Sequence, residues 1–583
     1  MTDGSEATPS SDTQTAVERA KRASRHLRGT LAETLADPAQ THFGHDDIVL
    51  LKFHGSYQQD DRDTRQHRGE PVEKQYSFMI RIALPGGVMT AAQYLDFDRI
   101  ADTYANGTVR LTTRQGIQYH GVIKGELKST IAAINHALAT TISACGDVQR
   151  NVMACPAPLH DPAHRAVRAA ADAMSAALRP NSRAYHEIWL DGEKVPLETG
   201  VVEEPFYGTQ YLPRKFKSVV ALDTDNCVDA YSHDVALIAI TDGPEIRGFN
   251  VLVGGGLGMT HNKADTMAAM GQVLGFVAVE DGVEAVRTVA AIYRDHGNRG
   301  DRRHARVKYL LAEWGLDRFR EEFRTRVAFP LQAPAPMPAT TGHDHLGAHA
   351  ADDGTMFYGV FVQSGRIADI DAVRQRTALR TIVERLQPGV VITAQQNLLL
   401  TGLTVAQVTE IEDVLRSHGV TPAQELTPLR RHSMACPALP TCGLAVAESE
   451  RAIPGVLDEL EMEFRRLGIE DASLTVRMTG CPNGCARPYT ADIAFVGRSA
   501  NLYQIYVGGG IAGDRVGDLF LDKVPRAAFV TALQPLLTRY ATERTPGESL
   551  GDFYQRLSGS RAPRQFVTGR EIATAPALGL VTA

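Results

Sequence analysis

The sequence predicts a mixed α+β (α/β) fold built by internal duplication. Two observations carry that expectation. Strand-like and helical stretches alternate through both halves of the chain, and three segments of the first half recur in the same order in the second. Met153-Ala-Cys-Pro-Ala-Pro158 matches Met434-Ala-Cys-Pro-Ala-Leu439 at an offset of 281 residues. At the same offset, Leu111-Thr-Thr-Arg-Gln-Gly-Ile-Gln-Tyr-His-Gly121 lies against Ile392-Thr-Ala-Gln-Gln-Asn-Leu-Leu-Leu-Thr-Gly402. A glycine-rich strand end occurs as Val253-Gly-Gly-Gly-Leu-Gly258 and again as Val507-Gly-Gly-Gly-Ile-Ala512. Two long copies describe a pseudo-symmetric core rather than a solenoid of short repeats.

Taken in order, Ser77 to Ala83 reads as a strand running into the turn Pro85-Gly86-Gly87, and Thr108 to Leu111 as a second strand. Ile131 to Ala144 carries helical periodicity, as does Val456 to Leu467. Val219 to Leu222, Val235 to Ile240 and Phe249 to Val253 are further strands. A Pro/Ala/His-rich stretch at 331–353 reads as a linker, and its His343, His345 and His349 as solvated residues rather than metal ligands.

The chain has 583 residues, enough for several domains, with 43% hydrophobic and 22% charged residues, an ordinary globular balance. A net charge of −7 gives no reason to expect nucleic acid as a partner. No apolar run approaches the ~18 residues a membrane span needs. The polar stretch Met1 to Ala16 has neither the basic start nor the apolar core of an export signal, and it reads as a tail. With free thiols, this predicts a reducing, cytoplasmic setting.

Four of the seven cysteines form two pairs, Cys436-x5-Cys442 and Cys481-x3-Cys485. Four thiolates brought together suit a [4Fe–4S] cluster. Structural zinc favours shorter Cys-x2–4-Cys knuckles, and an odd total argues against a disulfide framework. With their flanks, Met434-Ala-Cys-Pro-Ala-Leu-Pro-Thr-Cys-Gly-Leu-Ala445 and Thr479-Gly-Cys-Pro-Asn-Gly-Cys-Ala-Arg-Pro488, these segments resemble the sirohaem-dependent sulfite and nitrite reductases. The resemblance implies that Cys436, Cys442, Cys481 and Cys485 hold the cluster, with Asn483 beside them, and that Cys485 also ligates the sirohaem iron. It implies the duplicated sulfite reductase haemoprotein fold of three domains around a central cofactor. Residues 76–147 and 354–426 would pair as a pseudo-symmetric ferredoxin-like domain after an N-terminal extension at 1–75. Residues 148–330 and 427–583 would face the cofactor.

Sirohaem has a rim of carboxylates and sulfite is an anion, so a partly desolvated pocket must supply cations. By matching motifs, Arg81, Arg150, Lys215 and Lys217 resemble the family residues around the substrate anion. Alternation in Arg214-Lys-Phe-Lys217 puts both lysines on one face if the segment is extended. Arg110, Arg114 and Gln118 resemble residues near the cofactor rim, and Arg299 and Lys308 lie in a matching basic segment. The glycine-rich segments lack nucleotide-loop spacing, so electrons must come from a partner. Lys52-Phe-His-Gly-Ser-Tyr-Gln-Gln59, Tyr185-His-Glu-Ile-Trp-Leu-Asp191, Tyr211 to Lys217 and Gly551-Asp-Phe553 are similar to the haemoprotein (beta) subunits of assimilatory NADPH-dependent members. That implies a flavoprotein (alpha) partner carrying electrons from NADPH, and sulfide for cysteine synthesis as the product. A ferredoxin-dependent sulfite or nitrite reductase remains the alternative on the same scaffold, and a non-catalytic iron–sulfur or zinc protein an alternative of another class. Some relatives carry a Tyr–Cys cross-link. Tyr57 resembles its tyrosine and Cys155 is the cysteine considered for it, against a buried structural thiol. Cys145 and Cys227 read as packing residues.

Overall fold

The computed structural model describes residues 14–65, 73–181, 189–190, 193–194, 204–338, 340–559 and 565–570. Most of the Tyr185–Asp191 motif, and residues 1–13 of the polar N-terminal stretch, lie outside the described residues.

The duplication is visible as two pairs of matching five-stranded sheets. One pair comprises the strands Met153–Ala154, Ser218–Leu222, Val235–Asp242, Glu245–Val253 and Gln272–Val277, and, in the second half, Ser433–Ala435, Val476–Thr479, Ile493–Ser499, Leu502–Val507 and Asp518–Pro525. In both, the first three strands run parallel and the last two are antiparallel to their neighbours. Identical strand order and direction in two distant stretches is what the repeated sequence requires. The inner strands are buried along nearly their whole length, which accounts for their continuous apolar runs.

The other pair of sheets exchanges strands. Val88–Met89 of the first half pairs with Gly389–Ile392 in the sheet of the second half. Arg366–Ile367 of the second half pairs with Val109–Leu111 in the sheet of the first. Helices cover both. Ala91–Tyr104 starts at a capping box between Thr90 and Gln93 and buries Tyr94, Phe97, Ile100 and Ala101, a helical stripe. Gln375–Leu386 packs beside it, and Arg376 binds Asp98 of the first helix at 2.6 Å. Neither half is a closed unit.

Two expectations need correction. The helix placed at Ile131–Ala144 runs instead over Leu127–His136. It stops because Leu138 turns left-handed (φ 56), and the chain then runs beside the first sheet, where Ala83 N donates to Thr140 O at 2.9 Å. The stretch 331–353 is also more than a spacer. Gly347–Ala350 is a strand paired with Met356–Val360, Gln332 pairs with Phe276, and His345 is buried. A second core, including Leu457, Leu460, Phe464, Phe495, Phe529 and Leu533, underlies the sheet that carries the cysteine loops.

Candidate functional site

The four cysteines stand on loops that leave the ends of two adjacent parallel strands. Cys436 follows Ser433–Ala435 and Cys481 follows Val476–Thr479. Backbone bonds fold the loops together: Cys436 N donates to Met478 O at 3.2 Å, Cys442 N to Ala438 O at 2.9 Å, and Gly480 N to Cys436 Sγ at 3.4 Å. Gly484 (φ 64) makes the turn between Cys481 and Cys485. Cys436 and Cys481 are buried, Cys442 partly so, and Cys485 is exposed with Asn483 Nδ2 at 3.7 Å from its sulfur. Burial and the neighbouring Cys485 push the Cys436 thiol up to about 12, and Cys481 is raised by burial and by the other three cysteines. Such thiols ionise when a metal takes their protons' place. Among the described residues, the four-cysteine set does not form a group with ligand atoms all within 4.8 Å. Four thiols on two facing loops are the donor set of a [4Fe–4S] cluster.

The face beside Cys485 is cationic. Arg81 Nη1 and Arg150 Nη1 both donate to Ala144 O, at 3.4 and 3.2 Å, and Arg150 Nε donates to Gly146 O at 2.9 Å. Arg150 N donates to Phe216 O at 2.8 Å, which brings the Lys215–Lys217 segment alongside. Phe216 is fully buried while Lys215 and Lys217 are half-buried, so both lysines point to the same side, as alternation predicts. Burial, then Arg214, Arg306 and Arg150, push Lys215 down to about 7; burial, then Lys215, Arg114 and Arg306, hold Lys217 well below the usual lysine range. Cys485 acts on both lysines in the opposite sense, so all three share one site. Arg114, brought down to about 9 by burial and nearby arginines, donates to Asn151 O and Ser218 O at 3.0 and 2.9 Å. Gln118, with its amide oxygen turned toward the donors, accepts from Arg81 Nε at 2.9 Å.

Among the described residues, Arg81, Arg114, Arg150, Arg214, Lys215 and Lys217 form no ion pair with a carboxylate. Enclosing that much uncompensated charge is costly unless an anion meets it. The residues therefore fit a polyanionic group set against Cys485 with a smaller anion beside it.

Other predicted residues lie elsewhere or are already committed. Arg299 pairs with the buried Glu18 of the N-terminal helix at 2.7 Å and donates to Tyr211 O, so it fastens that helix. Arg110 pairs with Glu450 and donates to Ala435 O at 3.0 Å, holding the strand that leads into Cys436. Lys308 gives its ammonium to Gly256 O, Gly258 O and Met267 O, shaping the glycine-rich loop. That loop meets the cluster segment, since a Cβ on Gly258 would lie 3.1 Å from Asn483 O. Tyr57 packs with Cys145 and under Arg81, 5.7 Å from its ring centroid, and Arg81 Nη1 is 3.3 Å from Cys145 Sγ. Cys155 instead lies with Asp225, Cys227 and His345, so the cysteine paired with Tyr57 on resemblance is not its neighbour. Sequence reasoning passed over Asp147, Asp234 and Arg306. Asp147 binds Arg302 at 2.8 Å and Asp234 binds Arg306 at 2.7 Å, and these pairs support the cationic wall from behind. Their signal is the acidic residue three positions before Arg150 and the arginine two before Lys308.

Sequence profiles place known families on this geometry. The nitrite and sulphite reductase 4Fe-4S domain matches residues 169–331, and the nitrite/sulfite reductase ferredoxin-like half domain matches 71–137 and 349–418. The half-domain segments fall on the two strand-exchanging sheets. A protein of Staphylococcus saprophyticus described as the hemoprotein beta-component of NADPH sulfite reductase is 44% identical over 548 residues, 94% of this chain and 96% of its own length. The chain belongs to the nitrite and sulfite reductase family. Similarly described relatives from Chromohalobacter salexigens (45% over 559 residues, 95% of this chain and 96% of theirs) and Myxococcus xanthus (44%, 94% and 97%) extend the match across this family member. The solved structure of Mycobacterium tuberculosis NirA superposes with a TM-score of 0.76 at 24% identity, covering 96% of this chain and 97% of its own. That likeness establishes a shared fold: mixed helix and sheet in duplicated halves.

Proposed function

We propose that this family member is the haemoprotein component of an NADPH-linked sulfite reductase, carrying sirohaem and a [4Fe–4S] cluster and reducing sulfite to sulfide by six electrons. The single observation that carries the reading is the set of cations without carboxylate partners, gathered beside the exposed Cys485. Cys436, Cys442, Cys481 and Cys485 would hold the cluster, and Arg114 with the amides of the glycine-rich loop would meet the carboxylate rim. When bound, the joined cofactor supplies an iron that accepts sulfur and a store of single electrons.

The remaining work falls to side chains. Arg81 and Arg150 are fixed by shared backbone acceptors, so their free N–H groups are held ready for sulfite oxygens at little reorganisation cost. Arg150 stays charged throughout. Lys215, drawn toward neutrality by burial and then by its cationic neighbours, is suited to pass a proton to a departing oxygen, with Lys217 lining the same pocket beside it. Gln118 fixes the Arg81 fork, and the Asp234–Arg306 pair holds the backbone at Lys217, whose N–H donates to Asp234 Oδ2 at 2.8 Å.

Residues 76–147 with 354–426, 148–330 and 427–583 form the three domains of this reading. Among the described residues no helix is long and apolar enough to cross a membrane, and we place the protein in the cytoplasm. A flavoprotein subunit supplies the electrons, and the sulfide serves cysteine synthesis. The test compares kcat/KM for sulfite and for nitrite in cofactor-loaded protein with a reduced viologen as donor. A clear preference for sulfite is expected; a clear preference for nitrite would move the chain to nitrite reduction with a ferredoxin donor.

A further inference from the structure

A second set of metal-ligand side chains lies on the opposite member of the pseudo-symmetric pair. Ligand atoms of Cys155, Asp225, Cys227 and His345 all lie within 4.8 Å of one another, and all four residues are buried. His345 Nε2 has no hydrogen-bond partner and stands 3.6 Å from Asp225 Oδ2. Asp225 is already oriented: its Oδ1 accepts from Cys227 N at 3.0 Å and from His343 N at 3.1 Å, leaving Oδ2 turned toward the histidines. Among the described residues no lysine or arginine pairs with this buried carboxylate, whose ion-pair partners are His343 and His345. An acidic, thiol-rich enclosure without a fixed cation is the electrostatic opposite of the wall beside Cys485.

The duplication explains the position. Cys155 is the repeat mate of Cys436, 281 residues earlier. Cys227 stands two residues before Asp229 (φ 52), and Cys485 two residues before Arg487 (φ 51). Each of these left-handed residues opens a short turn, Ala230–Ser232 or Pro488–Thr490, that leads into the strand Val235–Asp242 or Ile493–Ser499. Arg487 binds Asp229, so the mates meet across the pseudo-twofold axis. Cys155 and Cys227 thus occupy, in the first half, the places that Cys436 and Cys485 take in the second.

We infer that Cys155, Asp225, Cys227 and His345 form a closed, four-coordinate zinc site that fastens the 331–353 segment to the first half. Two thiolates, an imidazole and a carboxylate are a zinc donor set, and the absence of a position open to solvent makes the site structural rather than catalytic. Ligand atoms within 4.8 Å need to close only slightly to reach the roughly 3.3–3.8 Å separations of a tetrahedral zinc site. His164 touches Cys155 and gives its Nδ1 to Asp161 at 2.6 Å, so it supports the thiolate from outside the four. His343, exposed and 3.3 Å from Asp225 Oδ2, marks the route by which an ion enters. Binding expels the thiol protons to solvent and involves no electron transfer, so the site is independent of which anion the enzyme reduces.

The test uses the full-length, cofactor-loaded protein, grown with added zinc and dialysed into metal-free buffer. Elemental analysis is expected to find about one zinc per chain beyond the iron, and the zinc-edge absorption spectrum about two sulfur neighbours near 2.3 Å. The Cys155→Ser/Cys227→Ser variant is expected to lose zinc at least tenfold with iron content and visible spectrum unchanged. Zinc-free wild-type protein that takes up none from added zinc chloride, or a Cys155–Cys227 disulfide found by mass spectrometry, would overturn the inference. So would zinc without sulfur neighbours. If the double variant does not fold, zinc content and edge spectrum of the wild type decide alone.

Discussion

At the residue scale the site is defined by which charges remain uncompensated. Arg302 and Arg306 have carboxylate partners, while among the described residues Lys215 has none and lies near Arg214, Arg306, Arg150 and Cys485. A group brought down to about 7 by its surroundings can hold or release a proton near neutral pH, which an arginine in the same place cannot do. Lys215→Met is expected to leave cofactor content and visible spectrum close to wild type while lowering kcat for sulfite by about 10²–10⁴-fold. Lys215→Arg keeps the charge without a labile proton and is expected to restore KM but not kcat. Viologen-coupled steady-state kinetics on both variants check this, and wild-type turnover in Lys215→Met would remove the proton-donor role.

At the element scale the glycine-rich strand ends are shaped by contact. A Cβ on Gly255 would collide with the backbone oxygens of Tyr231 and His233, and one on Gly509 with Thr490 and Ala491. The matching loops of the two halves each press against the short turn that follows their left-handed residue. Lys308 completes the first of them, its ammonium on three carbonyls in a fully enclosed setting. Lys308→Met would strand those carbonyls at about 1–3 kcal/mol for each buried group left unpaired. A fall in Tm of several degrees is expected, together with reduced cofactor loading, because the loop abuts Asn483. Thermal denaturation and the visible spectrum of the purified variant measure both; an unchanged Tm would mean that the loop holds its shape without the lysine.

At the scale of the whole molecule, one carboxylate joins three parts of the chain. Arg110 and Arg366 are directly opposed across the exchanged strand pair, and Glu450 takes Arg110 on one side and Arg366 at 2.7 Å on the other. Burial works against the charged form, but the two arginines outweigh it and hold the Glu450 carboxyl below the usual glutamate range. Its contribution is therefore complete above the unfolded-state value, about 4.3, and is lost as pH falls through the lower native value. Glu450→Gln leaves a buried arginine without its counter-charge, a loss of about 3–5 kcal/mol. The Tm difference between wild type and Glu450→Gln is expected to be constant above about pH 5 and to shrink on further acidification. A difference that does not change with pH would show that packing, and not charge, makes the contact.

The sequence by itself determined the family, the two paired cysteine motifs and the duplication. Those signals are local or periodic: ligands on short loops keep their spacing, and a repeated fold keeps its motifs in order. Arg81, Arg150, Lys215 and Lys217 were legible for the same reason, each lying in a short motif on a strand or beside one. Only the tertiary structure decided which basic residues are free. Arg299 is taken by Glu18, Arg110 by Glu450 and Lys308 by three carbonyls, and each partner comes from a distant stretch of chain. The same holds for Tyr57 beside Cys145 and for His345, read as a solvated linker residue and found buried against Cys155 and Asp225. Charge pairing and burial depend on what the fold brings alongside, and no spacing along the chain encodes that.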